Sequence, residues 1–197
     1  MSRKGLIIVV SAPSGAGKST LCLRLLKKVP RLRYSISYTT RPPRPGEKNG
    51  KDYFFVSERS FRDMVRRRAF VEWACVHDHF YGTPKEFLDK MVRTGNDVIL
   101  DIDVQGGEKI RRAYPDAVMI FVMAPSMQVL ERRLRARKKD SEEVIGRRLL
   151  NARKELNYLP KYTYLVINDV LSDAADEIES VISAEHLRIN RQKVSKF

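Results

Sequence analysis

Val9-Val10-Ser11-Ala12-Pro13-Ser14-Gly15-Ala16-Gly17-Lys18-Ser19-Thr20 is the stretch on which the reading of this chain turns. It leaves a β-branched apolar run over residues 5–10 that Ser11 and Pro13 stop. It then enters a helical pattern over residues 19–28, with Leu21, Leu25 and Leu26 on one face. A glycine-rich loop between a strand and a helix gathers backbone N–H groups and the positive end of the helix dipole on one point, and that point suits a phosphate. The pattern G-x-x-x-x-G-K-[ST] is met at Gly17, Lys18 and Ser19 and departs only at its first position, where Ala12 stands. Ala12, Pro13, Ser14, Gly15, Ala16, Gly17, Lys18, Ser19 and Thr20 are therefore expected to bind ATP. In that arrangement Lys18 reaches the β- and γ-phosphates and the Ser19 hydroxyl ligates Mg²⁺.

Outward from the loop, apolar runs at residues 98–102, 118–123 and 164–167 alternate with helical patterns at 105–113, 126–137, 141–157 and 172–191. Alternating β and α predicts an α/β fold with a mostly parallel sheet. Asp101 closes the second apolar run. Ligands of open parallel sheets gather at the carboxyl ends of strands, so Asp101 is the second expected Mg²⁺ ligand. Two segments break the rhythm. Residues 35–83 hold a basic, proline-rich loop, Arg41-Pro42-Pro43-Arg44-Pro45-Gly46, and short strand-like pieces around Phe54, Glu72 and Tyr81. They read as a small mixed insert suited to a second substrate. Residues 132–148 are helical, very basic and nearly free of large apolar side chains between Arg135 and Glu143. A segment that buries little moves at little cost and can act as a cover.

At 197 residues and 43% hydrophobic, the chain fits one domain with a proper core. The formal net charge of +14 points to an anionic ligand. No recognition helix or stacking motif accompanies it, so no specific nucleic-acid partner is expected. The run Leu6-Ile7-Ile8-Val9-Val10 is too short to cross a bilayer, and a glycine–lysine loop follows it where a signal peptide would carry a cleavage site. The expected location is cytoplasmic, with no membrane partner. Cys22 and Cys75 lack metal-ligand spacing, and the alternation of His77-Asp78-His79 on a short loop argues against a shared ion.

Taken in order, several motifs resemble guanylate kinase across most of the chain. They are residues 11–20, Ser37-Tyr38-Thr39-Thr40-Arg41-Pro42-Pro43-Arg44-Pro45-Gly46-Glu47, Gly50-Lys51-Asp52-Tyr53, Glu72-Trp73, Tyr81-Gly82-Thr83 and Asp101-Ile102-Asp103-Val104-Gln105-Gly106. Arg133, Arg137, Asp140-Ser141-Glu142-Glu143, Arg148 and Asn168-Asp169 complete the series. The resemblance implies a three-layer P-loop kinase fold: a core at residues 1–34, 97–125 and 158–197, a GMP-binding lobe at 35–96 and a lid at 126–157. It implies phosphoryl transfer from Mg·ATP to GMP and dGMP, with Mg²⁺ as cofactor and ATP as co-substrate. It implies base contacts from Ser37, Glu72, Thr83 and Asp103, and a phosphate clamp of Arg41, Arg44, Tyr53 and Tyr81. It also implies ATP contact at Asn168 and catalytic roles for Lys18, Arg41, Arg133, Arg137 and Arg148.

The residue chemistry agrees with that implication on its own terms. Guanine offers N1–H and a 2-amino group beside the O6 acceptor; an ionised Glu72 accepts both donors and a hydroxyl such as Thr83 donates to O6. Two guanidinium forks and two phenols suit a dianionic monoester. The sequence departs from the family at Asp78, where a glycine or small residue is common, and at Lys138-Lys139 in the lid. Protein-binding modules of the same fold carry a degraded phosphate loop, whereas here Gly17, Lys18, Ser19 and Asp101 all stand.

Overall fold

The computed structural model describes residues 4–76, 78–136 and 140–192. In chain order the elements are β1 (Ile7–Ser11), α1 (Lys18–Lys28), β2 (Leu32–Tyr34), β3 (Tyr38–Thr39), β4 (Phe54–Phe55), α2 (Glu58–Arg66), β5 (Phe70–Val76), β6 (His79–Pro84), α3 (Lys85–Arg93), β7 (Asp97–Asp101), α4 (Val104–Ala113), β8 (Val118–Met123), α5 (Met127–Ala136), α6 (Glu142–Leu156), β9 (Tyr164–Ile167) and α7 (Leu171–Leu187). Short 3₁₀ turns follow α6 and α7. No described helix is long and apolar enough to cross a membrane.

The main sheet has the order β2-β7-β1-β8-β9 and every pair in it is parallel. Its strands read as unbroken apolar runs because both faces are covered. Leu6, Ile8 and Val10 pack with Leu21 and Leu25 of α1 and with Ala175, Ile178 and Ile182 of α7. Ile7 and Val9 turn to the other face, against Leu88 of α3 and Ile110 of α4. The result is three layers, helix on sheet on helix, as the alternating pattern predicts. At the foot of the sheet the fully buried Asp97 accepts from the Leu6 amide at 2.9 Å and meets His186 Nε2 at 2.9 Å, tying β1, β7 and α7 together.

The insert forms a second sheet, β4-β3-β6-β5, in which β3 runs parallel to β4 and antiparallel to β6, and β5 runs antiparallel to β6. It has an aromatic core of its own. Phe61 stacks on Phe70 at 4.6 Å and on Phe80 at 5.5 Å, and Tyr38 stacks on Phe54 at 4.7 Å. The structure shows two helices, α2 and α3, that the strand-like reading of this region lacks. Ser57 caps α2 by accepting from the Ser60 amide, and Phe61 is its buried residue. Helix α3, inside the 35–96 span expected for the lobe, packs on the core sheet through Leu88. Asp78 turns the β5–β6 hairpin with φ 64°, which explains why a glycine suits this position and how an aspartate serves.

Candidate active site

The loop after β1 is shaped by two glycines in the left-handed region, Gly15 at φ 97° and Gly17 at φ 92°. A Cβ on Gly17 would stand 2.3 Å from Asn168 Nδ2, and one on Gly15 would stand 2.9 Å from Leu134 Cδ2. Both positions thus need glycine for conformation and for space. Ala12 needs no such freedom: among the described non-glycine residues, positive φ occurs at Arg31, Arg68 and Asp78. The departure at the first loop position is therefore structurally neutral. Asn168, 5% exposed, donates from Nδ2 to the Ala16 carbonyl at 2.7 Å. Its amide forms the floor of the loop and faces loop backbone.

Lys18 opens α1, and its ammonium meets the Asp101 carboxylate at 2.7 Å and the Ile102 carbonyl at 2.9 Å. The parallel pairing of Val10 with Asp101 places the carboxylate beside the loop, at the carboxyl end of β7. Ser19 is exposed in the first turn of α1. A hydroxyl and a carboxylate are hard oxygen donors of the kind Mg²⁺ takes, so the residues fit the ion that the loop motif implies.

On the lobe, Glu72 of β5 and Thr83 of β6 are directly cross-strand partners, so both side chains project from one face. The Thr83 hydroxyl donates to Glu72 Oε1 at 2.6 Å. Glu72 is 9% exposed and Thr83 fully buried. Burial pushes the Glu72 carboxyl above its ordinary range, and the Thr83 hydrogen bond offsets part of that rise. A carboxylate has about four acceptor positions, so one hydroxyl donor leaves Glu72 with acceptor capacity for further N–H donors. Asp103 caps α4, accepting from the Gly106 amide at 2.7 Å, and remains exposed at the cleft. Ser37 is half-buried, its carbonyl pairing with the Phe54 amide at 2.9 Å.

Of the four residues expected to clamp a phosphate, Arg41, Tyr53 and Tyr81 lie together. The Arg41 guanidinium stands 5.4 Å from the Tyr53 ring centroid, and the Tyr53 and Tyr81 rings meet edge-on at 5.9 Å. Arg44 is exposed at the proline-rich turn. In the segment expected to form a lid, Arg133 donates to the Asn168 carbonyl at 2.8 Å and the Asp169 carbonyl at 3.3 Å, beside the end of β9. Arg148 pairs with Asp140 at 3.1 Å. Arg137, Lys138 and Lys139 lie outside the described residues, as does His77. The sequence reading missed two contributions. Glu47 binds Arg41 through both carboxylate oxygens, at 2.8 and 3.0 Å. Lys109 of α4 reaches the Trp73 carbonyl and links core to lobe. Opposite charges six residues apart across a proline-rich turn were the available signal for Glu47; nothing local marks Lys109.

Comparison with known proteins matches residues 4–185 to the family described as guanylate kinase. A guanylate kinase of Caldanaerobacter subterraneus subsp. tengcongensis is 50% identical over 193 residues, covering 98% of this chain and 94% of the relative. One of Myxococcus xanthus is 51% identical over 194 residues, covering 98% and 93%. The crystal structure of guanylate kinase from Anaplasma phagocytophilum superposes with a TM-score of 0.80 at 34% identity, covering 97% of this chain and 91% of that one. With a phosphate loop on a parallel sheet, a carboxylate and hydroxyl paired on an inserted lobe, and these relatives along nearly its whole length, the chain belongs to the guanylate kinase family of ATP:GMP phosphotransferases.

Proposed function

We propose that this enzyme transfers the γ-phosphoryl group of Mg·ATP to GMP, and to dGMP as a second acceptor, in purine nucleotide metabolism. The observation that carries the choice of acceptor is the buried Glu72–Thr83 pair. Guanine supplies the two donors that Glu72 needs, and the Thr83 hydroxyl, free to rotate its hydrogen, serves O6. Adenine has no N1–H and presents a donor at the O6 position, which leaves the carboxylate unpaired. Such a mismatch rejects the wrong base by about 10⁴-fold. Asp103, at the exposed N-cap of α4, takes the 2-amino group, and Ser37 completes the base contacts.

Arg41, Arg44, Tyr53 and Tyr81 hold the acceptor phosphate in one orientation. A phosphate oxygen is already a competent nucleophile at neutral pH, so no general base is required. The acceptor oxygen bonds to the γ-phosphorus as the bond to the bridging β,γ-oxygen breaks, and the leaving charge stays on ADP. Lys18 releases Asp101 to follow that charge, while Arg133, Arg137 and Arg148 close the donor side and exclude water. Ser19 and Asp101 would hold Mg²⁺, which neutralises the charge developing on the phosphates when bound. Catalysis is then mainly alignment of two nucleotides.

The test is ADP formation from Mg·ATP with GMP, dGMP, AMP, CMP and UMP as separate acceptors. Strong turnover with GMP, weaker turnover with dGMP and almost none with the rest is the expected outcome. Comparable rates with AMP would remove the Glu72–Thr83 pair from base choice.

A further inference from the structure

We infer that Glu47 is a positioning residue of the acceptor-phosphate clamp, holding Arg41 and the Arg44 backbone in the shape that receives the phosphate. The inference rests on the GMP-kinase reading above and deepens it. Three features of the 41–47 turn support it. First, the Glu47 carboxylate is bound from two directions: by Arg41 Nη2 at 2.8 and 3.0 Å and by the Arg44 amide at 2.7 Å. One carboxylate therefore fastens a clamp side chain and the backbone of the second clamp residue. Second, the pair is largely shielded, with the Arg41 side chain 11% exposed and that of Glu47 20% exposed. It is no loose surface ion pair. Third, the turn between them is stiff. Pro42, Pro43 and Pro45 restrict it, Gly46 reverses it at φ 88°, and the Glu47 amide donates to the Arg44 carbonyl at 3.0 Å.

Arg41 is further oriented by its Nη1 donating to the Pro42 carbonyl at 2.7 Å and by its own amide donating to Thr39 Oγ1 at 3.1 Å. A guanidinium has five N–H donors in a rigid fork. With Nη2 committed to Glu47 and one Nη1 hydrogen to Pro42, Nε–H and the second Nη1 hydrogen are left for a phosphate, on a guanidinium 5.4 Å from the Tyr53 ring centroid. Glu47 costs the clamp one unit of positive charge, which by Coulomb's law alone would weaken phosphate binding. The structure offsets that loss by fixing where the guanidinium points before the phosphate arrives, so less side-chain freedom is lost on binding. The Arg44 amide contact decides between holding and competing. A carboxylate that merely occupied the phosphate site would have no reason to be tied into the backbone of the turn.

The experiment measures steady-state kinetics of Glu47→Ala and Glu47→Gln beside direct binding of GMP and of guanosine, which lacks the phosphate. In Glu47→Ala the KM for GMP should rise about tenfold to hundredfold, while kcat and the KM for ATP stay within about threefold. Guanosine affinity should stay within about twofold, because the base contacts are untouched. Glu47→Gln, which keeps an acceptor oxygen for the Arg44 amide, should fall between the alanine variant and the parent. It also supplies the reading if the alanine variant does not fold. An unchanged or lower KM for GMP would overturn the inference and mark Glu47 as a competitor of the phosphate. A parallel loss of guanosine affinity would overturn it as well, leaving only a general support for the lobe. Failure of the reading beneath it shows separately, as absence of GMP turnover by the unmodified enzyme.

Discussion

On the function proposed above, the donor and acceptor halves of the cleft are built from different materials. On the donor side the loop between β1 and α1 is shaped through backbone: two glycines at positive φ and the Asn168 side chain bonded to the Ala16 carbonyl. Its chemistry belongs to any sequence that can adopt that path, and Ala12 shows how far a residue can change when its φ is ordinary. The acceptor side works through side chains: a carboxylate and a hydroxyl set face to face by strand register, and a guanidinium braced by Glu47. There the backbone only supplies addresses, and identity resides in the functional groups. The donor half should therefore fail in rate and be indifferent to which base is offered, whereas the acceptor half should fail in choice.

The sharpest way to break that contrast is Lys18→Ala. Turnover should fall by about a thousandfold or more while the dissociation constant for GMP, read by calorimetry, moves less than about threefold. A matching loss of GMP affinity would mean that the halves are not separable. Glu72→Gln should lower kcat/KM for GMP by about a hundredfold and shrink the GMP-to-AMP preference, because an amide offers one acceptor and an unwanted donor where guanine needs two acceptors. Unaltered ATP affinity in the same variant completes the contrast. Asn168→Ala should act on the donor half alone, raising the KM for ATP by about tenfold through a loosened loop, since it removes a buried hydrogen bond to Ala16.

The smallest effect lies on α6, between the halves. Glu155 has a carboxylate oxygen buried without a hydrogen-bond partner among the described residues. Burial pushes its carboxyl up from an ordinary 4.5 to about 7, with Lys18 opposing the rise. The folded chain thus holds a proton that the unfolded chain has released. Stability is lost as pH rises from about 4.5 to about 7, and the loss is complete above that. Glu155→Gln should raise the melting temperature at pH 8 by about 2–4 °C and by less at pH 5. An equal gain at both values would show that the carboxylate is solvated in solution.

What could be read from the sequence follows the same division. The core strands were legible because burial on both faces leaves an unbroken apolar run, and the loop was legible because its glycines are demanded by backbone geometry. The lobe was harder. Its sheet is made of strands as short as Tyr38–Thr39 and Phe54–Phe55, too brief to show a period. Helix α2 carried a sign, Ser57 ahead of Glu58 with Phe61, Met64 and Val65 at helical spacing, but its aromatic neighbours read equally well as strand. The candidate residues Glu72 and Thr83 were legible through resemblance and chemistry; their pairing was not, because register across a hairpin depends on where its turn falls, and the ladder running from Val76↔His79 sets Glu72 opposite Thr83. Asn168 was expected at the nucleotide; its side-chain bond to the Ala16 carbonyl of the loop is a contact that only three dimensions reveal.

That asparagine also connects two parts of the molecule far apart in sequence. Its side-chain amide holds the Ala16 carbonyl, and its main-chain carbonyl holds Arg133 of α5, at the start of the proposed lid. Loop and lid share a single bearing. In spectroscopic terms, the side-chain NH₂ resonance of Asn168 is a built-in gauge, placed where occupancy of the loop and the resting angle of α5 are both registered by one pair of protons.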